Sequence, residues 1–130
     1  MSFNYLLIQA RRLEDPVRAE ERVAFAGKLN CDVSQIRTVD MTRDPLGEHL
    51  LEGVDAVLVG GSGHYSVLDG DPGVNAGIDF LGELAERGFP TFASCFGFQA
   101  LVLALGGEVI TDEDNAEVGT FEVSLTDAGR

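Results

Sequence analysis

The chain has 130 residues, 45% of them apolar, which is enough to bury the core of one domain of ordinary size. Its formal net charge is −13, so a nucleic-acid surface or an anionic membrane would repel most of it. Two cysteines are too few for a disulfide framework, and no stretch approaches the roughly 18 apolar residues of a membrane span. We therefore expect a single cytoplasmic domain over residues 1–130, without a nucleic-acid or membrane partner.

Strands and helices are predicted to alternate along the chain. Three Asp-Pro pairs each offer a capping carboxylate before a proline that suits the first helical position, so they predict helix starts at Pro16, Pro45 and Pro72. The first helix is predicted to end at Lys28 and the second near Gly53. Short apolar runs rich in β-forming residues predict strands at 5–8, 36–39, 56–59 and 91–93.

The third predicted helix has the clearest pattern. Its apolar residues recur at helical spacing, Gly88 suits a left-handed cap, and Pro90 forbids continuation. The apolar residues are Val74, Ile78, Leu81 and Ala85. A further apolar helix is predicted over 96–105, followed by strands at 109–110 and 121–123.

This alternation predicts an open parallel α/β sheet of flavodoxin-like type, with helices on both faces and right-handed crossovers. Ligands bind such sheets beyond the carboxyl ends of the strands. The functional residues are therefore expected in the loops at that edge.

Cys95 follows a predicted strand and precedes a predicted helix, which is the setting of a nucleophile elbow. The sharp turn would project the thiol into the crevice, and the free amide hydrogens of the first helical turn would favour the thiolate. The competing interpretation is a small buried core cysteine. Cys31 has no such setting and is interpreted as an incidental thiol.

A second loop, Gly60-Gly61-Ser62-Gly63, ends another predicted strand with a backbone that can be approached closely. Such a loop can aim amide hydrogens at an oxyanion. The amides of Gly61 and of Phe96, the residue after the cysteine, would together hold a tetrahedral intermediate. A plain turn is the alternative interpretation of this loop.

These two elements resemble a known family. Cys95-Phe96-Gly97-Phe98-Gln99 matches the C-x-G-x-Q nucleophile motif of class I glutamine amidotransferases, and the glycine loop is similar to their oxyanion loop. The similarity continues to the end of the chain and is closest to the glutaminase half of guanylate synthetase. The further matching segments are 105–107, 117–119 and 125–129.

The resemblance implies an enzyme that hydrolyses the side-chain amide of glutamine. Cys95 would form a γ-glutamyl thioester, Gly61 and Phe96 would hold the oxyanion, and Gln99 would line the glutamine pocket. Ammonia would pass to a synthetase domain or subunit, and neither a metal nor an organic cofactor is implied. Ala93 and Phe98 depart from the residues common in the family at these positions.

The family takes its general base from a histidine in an H-x-E motif after the nucleophile, and this motif is absent. Both histidines, His49 and His64, precede Cys95. His49 falls within a predicted helix, whereas His64 directly follows the glycine loop. We therefore expect a domain incomplete at its carboxyl end, inactive by itself.

Two alternatives remain open from the sequence. A cysteine peptidase or γ-glutamyl hydrolase would share the elbow and the loop, although Gln99 favours an amidotransferase. A catalytically silent binding module would explain the missing histidine.

Overall fold

The computed structural model describes residues 2–130 and confirms the predicted alternation. Its strands are β1 (Tyr5–Gln9), β2 (Ile36–Asp40), β3 (Ala56–Val59) and β4 (Thr91–Ala93). Its α-helices are α1 (Val17–Leu29), α2 (Pro72–Glu86) and α3 (Phe96–Ala104). The strands are all parallel and lie in the order β2-β1-β3-β4, which is the beginning of the flavodoxin-like order.

β1 lies in the middle of the sheet, where Tyr5 pairs with Ile36 on one side and with Ala56 on the other. Its side chains Leu6, Leu7 and Ile8 are at most 1% exposed. Both faces of this strand are covered, so its sequence is a continuous apolar run rather than an alternation.

Helices cover both faces of the sheet, as predicted. On one face, Ala26 of α1 packs with Leu7, Ile36 and Leu58. On the other face, α2 and α3 form the larger core cluster with the sheet. That cluster includes Leu6, Ile8, Val57, Val59, Val74, Leu81, Leu84 and Ala100.

Two of the three predicted helix starts are confirmed. The carboxylate of Asp15 accepts from the amide of Val17 at 2.9 Å, and that of Asp71 accepts from Val74 at 3.0 Å. Gly88, with φ of 64°, follows the end of α2 as predicted. The buried face of α2 differs in detail, because Gly77, Phe80 and Leu84 are buried and Ala85 is exposed.

The second predicted helix, from Pro45 to Gly53, is wrong. Only a short 3₁₀ helix forms there, at Glu48–Leu51. Asp44 does not cap it, because its carboxylate instead accepts from the amide of Asp40 at 2.8 Å, at the end of β2. The Asp-Pro signal therefore marks a turn here.

The predicted strands at 109–110 and 121–123 are also wrong. From residue 105 to residue 130 the chain is exposed except for half-buried Val109, and its only regular structure is the 3₁₀ turns Glu113–Asn115 and Asp127–Gly129. Val118 and Val123 are 93% and 81% exposed. A strand is stable only when paired, and none of the described strands pairs with these segments.

Candidate active site

Cys95 lies between β4 and α3, in a backbone conformation that non-glycine residues rarely adopt. Its φ of 55° and ψ of −115° turn the chain sharply from strand to helix. Such strain persists only where the surroundings impose it, and it occurs often at functional sites. Cys95 is exposed, so the structure excludes the interpretation as a buried core cysteine.

Contacts on both sides of Cys95 hold this turn in place. The amide of Ser94 donates to Val59 at 3.0 Å, and the amide of Gly97 donates to Gly60 at 3.0 Å. A Cβ at Gly97 would lie 2.6 Å from the carbonyl oxygen of Val59. The glycine two residues after the cysteine is therefore required for the close approach of α3 to β3.

The glycine loop and the cysteine meet at the carboxyl edge of the sheet. A Cβ at Gly61 would lie 3.7 Å from Cβ and 4.0 Å from Sγ of Cys95. The hydroxyl of Ser62 fastens the loop to the end of β1 by donating to the carbonyl of Ala10 at 2.7 Å. The sheet order reverses between β1 and β3, and this is the place where ligands bind in open α/β sheets.

The other predicted site residues lie on α3. Phe96 is the first helical residue and is buried, so its amide falls in the turn whose amide hydrogens have no helical acceptor. Gln99 lies one turn further, where its amide donates to the carbonyl of Cys95 at 3.1 Å. Its side chain is exposed, as is the neighbouring Phe98.

A buried ion pair beneath the glycine loop was missed from the sequence. Nη2 of Arg11 lies 2.8 Å from Oε2 of Glu21, and their side chains are 10% and 9% exposed. The hydrogen bond to Glu21 raises the pKa of Arg11 above its ordinary value, against the opposing effect of burial. Oε2 of Glu21 also accepts from the amide of Gly61 at 3.0 Å.

His64 has a carboxylate neighbour that the sequence did not reveal. Its Nδ1 lies 3.8 Å from Oδ2 of Asp15, which also contacts Nη1 of Arg11 at 3.3 Å. The backbone amide of Val17 lowers the pKa of Asp15 most, and Arg11 and His64 add to this effect against the desolvation of the carboxyl group. The side chain of His64 is 40% exposed.

His49 lies elsewhere, as the sequence indicated. It is exposed and lines a groove with Arg87 and Phe89, before the amino end of β4. Cys95 is at the opposite edge of the sheet.

Residues 2–130 contain neither a membrane-spanning helix nor a cluster of metal-binding side chains. No helix there has the length and apolar character that crossing a membrane requires. No group of three or more His, Cys, Asp or Glu side chains in that range is placed to hold a metal ion.

The open parallel sheet, with helices on both faces and a cysteine at the junction of β4 and α3, defines an α/β protein. Residues 24–128 match the family described as glutamine amidotransferase class-I, and the chain belongs to that family. The resemblance to class I glutamine amidotransferases inferred from the sequence is thereby confirmed.

A solved structure supports the same fold. The chain is 25% identical to a glutamine amido transferase from Methylobacillus flagellatus, with a TM-score of 0.65. The similarity covers 91% of this chain but only 45% of that one. No curated protein matches the sequence.

Proposed function

We propose that this chain carries the glutaminase site of a class I glutamine amidotransferase, with Cys95 as the nucleophile and a synthetase domain or subunit as the receiver of ammonia. The observation that carries the proposal is the strained elbow of Cys95, placed against Gly61 at the switch point of the sheet. Membership of the family supports glutamine as the substrate.

The proposed reaction has two stages. The thiolate of Cys95 attacks the side-chain amide carbon of glutamine, forming a C–S bond while the carbonyl π electrons move to oxygen. Amide hydrogens of Phe96 and Gly61 stabilise that oxyanion. The electron pair then returns, the C–N bond breaks, and nitrogen leaves with a proton as ammonia. Water hydrolyses the thioester to glutamate and restores the thiol.

Gln99 is proposed to line the glutamine pocket. Its side chain is exposed, and it lies on α3 one turn after Cys95. A side-chain amide both donates and accepts hydrogen bonds, which suits the polar groups of an amino acid.

The proton transfers need a group that the nucleophile and its donors do not supply. General acid–base help is typically worth about 10²-fold to 10⁴-fold, and no histidine follows Cys95 in the sequence. Among the two histidines, His64 is the one paired with a carboxylate, Asp15. We therefore expect slow turnover by residues 1–130 alone, and His64 is the first group to vary if turnover proves fast.

The test is covalent labelling by 6-diazo-5-oxo-L-norleucine, a glutamine analogue. The thiolate bonds to the carbon that bears the diazo group, that carbon takes up a proton, and dinitrogen leaves. We expect Cys95 to be labelled well before Cys31, L-glutamine to slow the reaction, and D-glutamine to have little effect. Mass spectrometry locates the label, and Cys95→Ala is the control. Equal labelling of both cysteines, or no protection by L-glutamine, would refute the site.

A silent binding module is the second candidate, favoured by the missing downstream histidine. It predicts glutamine-protected labelling of Cys95 without any Cys95-dependent release of ammonia. Ammonia release from glutamine, even at a slow rate, that is abolished in Cys95→Ala would decide for the enzyme.

A further inference from the structure

The peptide group between Gly60 and Gly61 is held at both of its polar ends. Its carbonyl accepts from the amide of Gly97 at 3.0 Å, and its N–H donates to Oε2 of Glu21 at 3.0 Å. The first contact belongs to the elbow of α3. The second takes up the one hydrogen that Gly61 is proposed to offer to the oxyanion.

Glu21 is itself fixed in this position. Its carboxylate pairs with Nη2 of Arg11 at 2.8 Å and accepts from the side-chain amide of Gln9 at 3.2 Å. It packs tightly over the loop, since a Cβ at Gly60 would lie 2.6 Å from its Oε2. The contact with Gly61 is therefore part of a packed, nearly buried network.

The Glu21 carboxylate that accepts from Gly61 is chemically similar to the oxyanion that this amide is proposed to bind. A carboxylate oxygen and a tetrahedral oxyanion are both anionic acceptors, and hydrogen bonds to either are stronger than those to a neutral group. One N–H satisfies only one of them well. Glu21 and the reacting substrate therefore compete for the same donor.

We propose that Glu21 is an autoinhibitory latch on the glycine loop, which keeps the amide of Gly61 occupied until the carboxylate turns away. Release requires rotation of the Glu21 side chain, which breaks its contacts with Arg11 and Gln9, whereas the Gly60 carbonyl stays bound to Gly97. Arg11 contacts Asp15 as well as Glu21, so it keeps one carboxylate partner when the latch opens. The inference rests on the proposed function, and it adds a residue of α1 to the control of the site.

The test compares two reagents on Cys95 in Glu21→Gln, Glu21→Ala and wild type. The diazo analogue carries a ketone where glutamine has its amide, so its reaction depends on the Gly61 donor, whereas iodoacetamide reports thiol access alone. We expect Glu21→Gln to accelerate glutamine-protected labelling about threefold to tenfold, because a neutral acceptor competes less well. Glu21→Ala should accelerate it further. The iodoacetamide rate should stay within about twofold of wild type in both.

Glu20→Gln is the matched control, because it makes the same charge change on the exposed neighbouring residue of α1. It should leave both rates unchanged. If Glu21→Ala does not fold, Glu21→Gln decides, since it preserves size and shape.

Two outcomes overturn the latch and are distinguishable from each other. Unchanged or slower glutamine-protected labelling in Glu21→Gln, with unchanged iodoacetamide reactivity, would mean that Glu21 positions the loop instead of blocking it. Absence of glutamine-protected labelling in wild type and all variants would refute the proposed function, and the latch with it.

Discussion

The amide of Gly97 donates to the carbonyl of Gly60 at 3.0 Å, and this hydrogen bond joins the glycine loop to the first turn of α3. Gly61 directly follows Gly60, and Cys95 lies two residues before Gly97. This backbone contact therefore helps to set the position of the proposed nucleophile relative to the proposed oxyanion donor. Changes at Gly97 should therefore disturb both stability and reactivity.

Gly97→Ala is expected to destabilise the protein by about 1–3 kcal/mol, since its Cβ would lie 2.6 Å from the carbonyl oxygen of Val59 and the helix would have to move. Urea unfolding followed by circular dichroism measures the change. The matched control is Gly82→Ala in α2, where the nearest atom lies 3.6 Å away. That variant should be stabilised by about 0.4–1 kcal/mol, and an equal loss in both variants would contradict the packing argument.

Gly61→Pro removes the amide hydrogen proposed for the oxyanion, so glutamine-protected labelling of Cys95 should fall about 10²-fold or more. Gly61→Ala keeps that hydrogen, and its Cβ would meet Arg11 and Cys95 at ordinary contact distances of 3.5 and 3.7 Å. The alanine variant should stay within about threefold of wild type. Circular dichroism checks that both remain folded. Equal rates in the two variants would remove the Gly61 amide from the site.

Replacing Cys95 separates backbone strain from thiol chemistry. Glycine adopts a φ of 55° without steric cost, whereas alanine retains the strain, which is of order 1–3 kcal/mol at such positions. The greater conformational entropy of glycine in the unfolded chain offsets part of the stability gained by relieving this strain. We expect Cys95→Gly to be more stable than Cys95→Ala by about 1 kcal/mol, measured from urea midpoints at unchanged slope. A less stable glycine variant would show that the elbow is not strained.

The pH dependence of stability should report on Asp15. The amide of Val17 and the charge of Arg11 lower the folded-state pKa of this carboxyl group, so its contribution is fully present above the unfolded value of about 3.9. The contribution is lost as pH falls through the lower, folded-state pKa. Asp15→Asn should therefore be less stable than wild type at pH 7, and the difference should shrink below about pH 4.

Thermal unfolding between pH 2 and pH 8 measures this difference. Glu14→Gln, a change at the exposed neighbouring carboxylate, is the control and should show little difference at any pH. A gap for Asp15→Asn that stays constant down to pH 2 would contradict the linkage.

Local patterns predicted most of the sheet and the junction that holds Cys95. Apolar runs mark β1 and β3 because buried parallel strands need them, and the small residues around Cys95 mark a tight turn. Asp44 shows the limit of such patterns. An Asp-Pro pair caps α2 at Asp71, whereas the Asp-Pro pair at Asp44 belongs to a turn in which the carboxylate accepts from the amide of Asp40. Tertiary contacts decided between the two uses.

Glu21 could not have been found from sequence patterns alone. A glutamate in the second turn of an amphipathic helix is ordinarily solvated. The contact of Glu21 with the glycine loop arises only because α1 places it against a residue forty positions further along the chain. The strand predictions after residue 105 were wrong for a related reason. The β-forming residues there, such as Phe121 and Val123, carry the propensity for a strand but have no paired neighbour within the described structure.

The central place of β1 also has a consequence for the order of assembly. Tyr5, near the amino terminus, pairs only with residues made much later, Ile36 and then Ala56. Each pairing loses the conformational entropy of closing a long loop before the strand contacts form. The folding rate should therefore be limited by chain topology rather than by helix formation. During synthesis, the buried strand β1 stays unpaired until β2 and then β3 have emerged from the ribosome, and in this interval its exposed apolar residues can bind chaperones or associate with other chains.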